Sequence, residues 1–226
     1  MRMPPKELKA LLVDFDGTLI DSLPALWNCY QTFMYRRGKI ATRNEFIQLA
    51  GPSLKEIIIY LKVKYELTPA FEELYKEYRE LILECYSRDA IMFPNALEVL
   101  QRLKMRGIKL ALVTSATSAF IEPFNQRANF DKLFDAIITH VEGEETKPSP
   151  VIYKRALESL NIAPEEVIAV EDSKNGVLSA HAAQIYVVQF RGGSTDVSID
   201  SKLENVSFAV KNWLALEKIC MKILIR

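Results

Sequence analysis

Apolar residues along the chain follow two different spacings. Short continuous apolar runs, typical of strands buried on both faces of a sheet, occur five times. After the first of these, no strand is credible until about residue 90, and apolar residues recur instead at helical spacing. The five predicted strands are at 9–13, 108–113, 136–139, 167–170 and 185–188. Four helices are predicted after the first strand, at 23–37, 42–50, 53–64 and 68–85.

The second half of the chain alternates strands with helices. Capping residues, prolines and periodic apolar positions predict helices at 94–106, 119–129, 150–160, 174–183 and 211–224, with a surface loop at 191–201. Such alternation is typical of an α/β fold with a doubly wound parallel sheet. We therefore expect a Rossmann-like core formed by 1–22 and 90–226, into which a small helical domain, 23–89, is inserted after the first strand.

Composition and sequence pattern argue against several classes of function. Lys and Arg together number 29 and Asp and Glu also 29, so no overall field favours nucleic acid or an anionic membrane. No apolar run reaches the roughly 18 residues of a membrane span, and the N-terminus lacks a signal-peptide core. Cys29, Cys85 and Cys220 are widely spaced, which indicates neither a disulfide framework nor a zinc site. We expect a cytoplasmic protein.

The end of the first strand carries the most distinctive chemistry. Asp14 and Asp16 follow the apolar run and stand one residue apart, and Gly17 then permits an abrupt turn. In an extended chain, alternation points both carboxylates the same way, so the pair needs a cation. Carboxylates in this place also face the crevice where open α/β sheets bind ligands. A solvated acidic turn is the simpler interpretation of two such aspartates alone.

Later strand ends carry complementary groups. Thr114 and Ser115 follow the second strand and could hold phosphate oxygens or merely begin a helix. Glu171 and Asp172 follow the fourth, where burial is costly unless they meet water, a cation or hydrogen-bond donors. Lys147 stands in an acidic loop, and a lone lysine there is ordinarily a surface charge.

In combination these segments resemble a known family. The string Asp14-Phe15-Asp16-Gly17-Thr18-Leu19, then Thr114, then Lys147-Pro148, then Glu171-Asp172-Ser173 with Gly176, is similar to the motifs of the haloacid dehalogenase-like hydrolases. Most members are magnesium-dependent phosphatases, and the helical insert matches their α-helical cap. Two departures are minor: Thr146 replaces a frequent Gly, and Ser115 stands at a variable position.

The resemblance implies a role for each matched residue. Asp14 would attack phosphorus and form an aspartyl-phosphate, and Asp16 would act as the acid–base group. Thr114 and Lys147 would complete the catalytic set. Mg²⁺ is the implied cofactor, with Asp14, Asp172, the backbone carbonyl of Asp16 and, through water, Glu171 as its ligands. The candidate substrate contacts are Thr18, Ser115 and Lys55.

The substrate is less well defined by the sequence. The loop 50–55 resembles phosphoglycolate phosphatase-like members, although a helix end followed by a helix start explains it equally well. A β-phosphoglucomutase-like sugar-phosphate mutase is the main alternative, but such mutases carry a histidine near the start of the cap and 24–27 has none. A non-catalytic binding protein is a third possibility. We expect a small phosphorylated metabolite as partner, no nucleic acid or membrane, and a monomer or homodimer.

Overall fold

The core of the molecule is a six-stranded parallel sheet. The computed structural model describes residues 3–88, 91–193 and 203–225. Within these, the strands are β1 (Ala10–Val13), β2 (Lys109–Val113), β3 (Ala136–Ile138), β4 (Val167–Glu171), β5 (Tyr186–Phe190) and β6 (Phe208–Val210). Their spatial order is β3-β2-β1-β4-β5-β6, and every pairing is parallel. The predicted doubly wound α/β sheet is confirmed.

Helices cover the sheet and form the insert. Between β1 and β2 lie α1 (Leu23–Tyr35), α2 (Arg43–Gln48), α3 (Leu54–Lys64), α4 (Phe71–Arg88) and α5 (Ala96–Met105). The later helices are α6 (Ser118–Ala128), α7 (Phe130–Leu133), α8 (Val151–Leu160), α9 (Lys174–Ala182) and α10 (Trp213–Leu224). We refer to α1–α4 as the helical insert. None of the described helices combines the length and the apolar character that a membrane crossing requires.

The topology changes direction at β1. The chain continues from β1 to β2 and β3 on one side, then crosses to β4 on the other side of β1. Val13 pairs with Leu112 of β2 and with Val170 of β4, so the three strands end at nearly the same level. A crevice opens at such a switch point because the neighbouring connections run to opposite faces. The residues just after these three strands therefore converge on one place.

Alternation along the strands supplies two apolar layers. Leu11 and Val13 of β1 face a cluster that includes α5 and α10 and continues into the helical insert. Ala10 and Leu12 face the other cluster, under α8 and α9. Because β1, β2, β4 and β5 are buried on both faces over nearly their whole length, they are mainly apolar runs, and this made them recognisable in the sequence.

A buried carboxylate organises the core of the insert. Glu45 of α2 is 4% exposed and accepts hydrogen bonds from the hydroxyls of Tyr30 and Tyr65 and, at 2.7 Å, from the Lys64 ammonium group. Thr42 caps α2 as predicted, but the Glu45 side chain turns inward and does not complete the expected capping box. Burial alone would raise the pKa of Glu45; hydrogen bonds from Lys64 and the two tyrosines outweigh it and lower the pKa.

Five details of the sequence prediction need correction or fall outside the description. The strand β6 and the short helix α7 were not predicted. The sequence Ser149-Pro150 predicts Ser149 as the cap of α8, but Pro150 is the capping residue, and the Ser149 hydroxyl instead donates to Glu145 at 2.6 Å. Most of the predicted surface loop at 191–201, and the predicted domain boundary at 89 and 90, lie outside the described residues.

We predict that Glu45→Gln lowers the free energy of unfolding by about 2 kcal/mol at pH 7, because three donors to a buried carboxylate lose their charged acceptor. The pKa of Glu45 is lowered in the folded protein, so its contribution is present above the unfolded-state pKa and is lost as pH falls through the folded-state value. The difference from wild type should therefore shrink toward pH 3. Urea denaturation across this pH range measures it.

The exposed Glu73 of α4 provides a matched control. Glu73→Gln should stay within about 0.5 kcal/mol of wild type at every pH. Equal effects of the two substitutions would contradict a special role for Glu45.

Candidate active site

A buried ion cluster lies where β1, β2 and β4 end. Lys147 donates to Asp14 Oδ1 and to Glu171 Oε1, both at 2.6 Å, and also approaches the carbonyl of Val113 at 3.3 Å. The Lys147 side chain is 2% exposed and that of Glu171 1%. Burial alone would lower the pKa of Lys147, but the two carboxylates raise it above its usual value, so Lys147 stays charged. One buried cation thus joins β1 to β4 through their terminal carboxylates.

Glu171 has one oxygen bonded and one without a partner. Its Oε1 also accepts from the Tyr153 hydroxyl at 2.6 Å, whereas Oε2 is buried and has no hydrogen-bond partner among the described residues. Gly176 makes room for this oxygen, because a Cβ atom at that position would stand 2.0 Å from Oε2. Burial and the nearby Asp14 raise the pKa of Glu171 to about 7 despite the opposing effect of Lys147.

Three carboxylates are arranged as metal ligands would be. One oxygen each from Asp14, Glu171 and Asp172 lies within 4.8 Å of the others. Burial, and then the charges of Asp14 and Glu171, raise the pKa of Asp172 well above its usual range. Gly17, at φ +72°, is required here, since a Cβ would meet Asp172 Oδ2 at 2.1 Å. An all-oxygen donor set with an orphaned carboxylate oxygen fits a hard cation such as Mg²⁺.

Asp16 is held separately from that cluster. Its Oδ1 accepts from Ser22 at 2.6 Å and from Tyr86 of α4 at 2.7 Å. Burial raises the pKa of Asp16 to about 6, although the two hydroxyl donors oppose the shift. Its side chain is not in the three-carboxylate group, so a metal contact from Asp16 would have to come from the backbone carbonyl, as expected. A carboxylic acid with this pKa can donate or accept a proton near neutral pH.

The predicted phosphate-binding residues differ in placement. Thr114 and Ser115 line the cavity above the carboxylates. The Thr114 hydroxyl oxygen accepts from the Ala116 N–H at 3.0 Å, and the Ser115 hydroxyl is buried without a partner among the described residues. Thr18 is fully buried and is not among the residues that line the cavity; its carbonyl accepts from the Trp213 indole at 3.2 Å. A direct substrate contact from Thr18 is therefore not supported.

The cavity lies between the strand ends and the helical insert and has a volume of about 360 Å³. Lys55, predicted to contact substrate, lines its rim, where the ammonium group pairs with Glu142 at 2.7 Å. The insert is fastened beside the cavity by two further bonds. Glu56 accepts from the hydroxyl of Thr146, and the Asn175 side chain donates to the Ala50 carbonyl at 2.8 Å.

Three hydroxyl partners of the carboxylates were missed in the sequence. The sequence indicates Ser22 only as the end of the first motif and Tyr153 only as an apolar position of a helix, whereas Tyr86 lies one residue beyond the predicted helix 68–85. The spacing predicts burial of Tyr153, and the structure confirms it; Tyr86 is buried as well, in a helix that extends to Arg88. The direction of a hydroxyl toward Asp16 or Glu171, however, depends on tertiary packing between segments 18 to 70 residues apart.

Comparisons with known proteins agree with this geometry. Residues 11–190 match the model of the family described as haloacid dehalogenase-like hydrolase. A phosphorylated carbohydrates phosphatase of Thermotoga maritima is 31% identical over 79% of this chain and 82% of its own. A phosphoglycolate phosphatase of Nitrosococcus oceani is 28% identical over 93% and 98%. The crystal structure of CbbY from Rhodobacter sphaeroides in complex with phosphate superposes with a TM-score of 0.79 at 22% identity, over 92% and 96%.

We predict that Lys147→Met lowers the free energy of unfolding by about 3–5 kcal/mol at pH 8, because it leaves two buried carboxylates without their cation. Removal of Lys147 raises the folded-state pKa values of Asp14 and Glu171, so the loss should grow between pH 6 and pH 8, as both must ionise. Urea denaturation in the presence of a chelator measures it.

The exposed Lys174, at the start of α9, is the matched control. Lys174→Met should change stability by less than about 0.5 kcal/mol. A pH-independent or negligible loss in Lys147→Met would contradict the cluster described above.

Proposed function

The chain belongs to the haloacid dehalogenase-like hydrolases and is a phosphoric monoester hydrolase, and on this premise we propose that it cleaves a small phosphomonoester, with Mg²⁺, through an aspartyl-phosphate. The observation that carries the proposal is the buried Asp14–Lys147–Glu171 cluster at the switch point of the sheet. It places the carboxylate proposed as nucleophile beside a fixed positive charge at the floor of the cavity between the strand ends and the insert.

In the first half-reaction, a carboxylate oxygen of Asp14 attacks phosphorus. A bond forms between that oxygen and phosphorus, while the bond from phosphorus to the ester oxygen breaks. Asp16, in its protonated form, gives its proton to the departing oxygen, so that an alcohol leaves. The raised pKa of Asp16, about 6, keeps a useful fraction protonated near neutral pH.

In the second half-reaction, the ionised Asp16 accepts a proton from water. The hydroxide equivalent attacks phosphorus, the bond from phosphorus to Asp14 breaks, and inorganic phosphate leaves. Asp14 is again a carboxylate and Asp16 is again protonated, so the cycle is balanced. One residue serves as acid and then as base because each half-reaction reverses the proton transfer of the other.

Fixed charges and donors lower the barrier of both steps. Lys147 holds Asp14 in place and supplies positive charge next to the phosphoryl oxygens. Ser115 brings a hydroxyl without a partner among the described residues, and Thr114 brings a hydroxyl whose proton remains available for a phosphoryl oxygen. Asp14, Asp172, Glu171 and the backbone carbonyl of Asp16 would hold Mg²⁺, which when bound neutralises charge on the phosphoryl group.

We assign residues 23–89 the role of a cap. The insert supplies most of one side of the cavity and also bonds Asp16 through Tyr86. Closure of such an element excludes water and sets substrate preference together. Because relatives are named phosphoglycolate phosphatase, phosphoglycolate is one ester to test, and a sugar phosphate tests the mutase alternative.

We predict that Asp14→Asn reduces phosphate release by roughly 10⁴-fold or more, as loss of a covalent nucleophile does. Release should be measured from p-nitrophenyl phosphate and a panel of small esters, with Mg²⁺ and with a chelator, and wild-type turnover should require the metal. Asp131→Asn, on the exposed side of α7, is the control and should retain wild-type rates.

Two results would overturn parts of this proposal. Turnover surviving in Asp14→Asn would remove Asp14 as the nucleophile. Isomerisation of a sugar phosphate without release of phosphate would assign the same site to a mutase.

We predict that Tyr86→Phe raises the pKa of Asp16, because it removes a donor that favours the ionised form. Asp16 must be protonated in the first half-reaction, so the decline of kcat/KM at high pH should move upward by roughly half a unit to one unit. The pH profile for an alkyl phosphate, at saturating Mg²⁺, measures this.

Two comparisons isolate the hydrogen bond. Tyr78→Phe, on the same helix and facing the same cavity, should leave the position of this decline unchanged, because Tyr78 makes no described hydrogen bond to Asp16. The shift should also be smaller with p-nitrophenyl phosphate, whose leaving group needs little protonation. If the high-pH decline of kcat/KM for the alkyl ester lay at the same pH in Tyr86→Phe as in wild type, the role of Tyr86 would be contradicted.

A further inference from the structure

The wall of the cavity formed by the helical insert is apolar and aromatic. It includes Leu26 of α1, Phe46 of α2, Ile57 of α3 and Phe71, Tyr75 and Ile82 of α4. All six are only partly buried. Large apolar side chains that are left partly exposed in a concave site retain surface that a ligand can cover.

Both lysines of the described cavity lining already bond carboxylates. Lys147 bonds Asp14 and Glu171 at its floor, and Lys55 pairs with Glu142 at its rim. Lys55 is the one charged residue that the insert contributes to the described lining, and its side chain is 52% exposed. Apart from Lys55 at the rim, the insert contributes no cationic side chain to the described lining; the imidazole of His140, which also lines the cavity, comes from the core side, after β3.

The apolar wall and its shortage of cationic side chains disfavour a substrate whose leaving group carries a negative charge in addition to the phosphoryl group. A carboxylate or second phosphate on the leaving group would be pressed against Leu26, Ile57 and Ile82, where a charge without a partner is costly to bury. An uncharged group with hydrocarbon or aromatic surface would gain free energy at the same place, in proportion to the area it covers. Binding of the phosphoryl group does not depend on this apolar contact, because Lys147, Thr114 and Ser115 face that group.

We propose that the leaving group of the substrate is uncharged and largely apolar, an alkyl or aryl alcohol rather than a hydroxy acid or a second phosphate. This inference rests on the proposed phosphatase function. The proposed substrate therefore differs from phosphoglycolate, which the name of the phosphatase relatives gives as theirs. The difference is possible because, in this proposal, the insert and not the strand ends holds the leaving group.

A series of n-alkyl phosphates from propyl to hexyl tests the proposal. Their alcohols have nearly the same acidity, so the intrinsic reactivity of the ester stays constant along the series. Each methylene that enters the cavity should raise kcat/KM about three- to four-fold. Phosphate release should be measured with wild-type protein and Mg²⁺, with p-nitrophenyl phosphate and 2-phosphoglycolate assayed in parallel.

Two isoleucines of α3 form a matched pair for locating the effect. Ile57 lines the cavity, whereas Ile59 lies on the outer surface and is 47% exposed. Ile57→Asn should lower the ratio of kcat/KM for hexyl over propyl phosphate several-fold, and Ile59→Asn should leave that ratio as in wild type. The wild-type series stands without either variant, so a folding failure in one of them does not remove the test.

The outcomes are distinguishable. A flat or falling alkyl series, or a preference for 2-phosphoglycolate over butyl phosphate, would overturn the apolar leaving group while leaving the phosphatase intact. Absence of metal-dependent release from every ester, p-nitrophenyl phosphate included, would overturn the phosphatase proposal itself and this inference with it.

Discussion

The interaction on which the rest of the site depends is the buried bridge from Lys147 to Asp14 and Glu171. Two carboxylates at the ends of adjacent parallel strands would repel each other in a region with little water, and the ammonium group between them makes the arrangement tolerable. The bridge also determines which carboxylate oxygens of Asp14 and Glu171 remain available to other partners. Asp14 keeps one oxygen free of Lys147, and Glu171 keeps Oε2 without a described partner, so stabilisation of the fold and preparation for a cation and a phosphoryl group come from the same contacts.

The helical insert is tied to this cluster at several points, which makes its position part of the chemistry. Tyr86 reaches Asp16, Glu56 meets Thr146 next to Lys147, and Ala50 bonds Asn175. Gly51 lies directly on Asn175, since a Cβ there would stand 2.5 Å from the Asn175 Cβ. A movement of the insert would change the hydrogen bonding of the acid–base group and the shape of the cavity together. In the proposed mechanism, recognition of the leaving group and protonation of its oxygen are thereby coupled through the insert.

The sequence predicted the parts of the fold that depend on local pattern. Five strands were recognisable because both faces are buried, whereas β6 is three residues long and Phe208 in it is 53% exposed, so it carries no such run. The convergence of Asp14, Glu171 and Asp172 followed from strand ends and the resemblance to a family. Without the neighbouring motifs, Lys147 would be interpreted as a surface charge in an acidic loop. The hydroxyl of Tyr86 could not have been assigned, because its partner is 70 residues away and periodicity predicts burial, not hydrogen-bond partners.

In the proposed function, different parts of the chain determine reaction type and substrate. The residues that face the phosphoryl group lie at strand ends, where the parallel register leaves little freedom: Asp14, Thr114 and Glu171 can meet only if β1, β2 and β4 end together. The residues that we propose to face the leaving group lie on the insert, whose side of the cavity is apolar at Leu26, Ile57 and Ile82. Exchanging an apolar cavity residue such as Ile57 or Ile82 would alter the leaving-group site without removing a hydrogen bond to the carboxylates. For that reason the family identifies the bond that is broken, while the apolar wall of this particular insert is the better guide to the alcohol that departs.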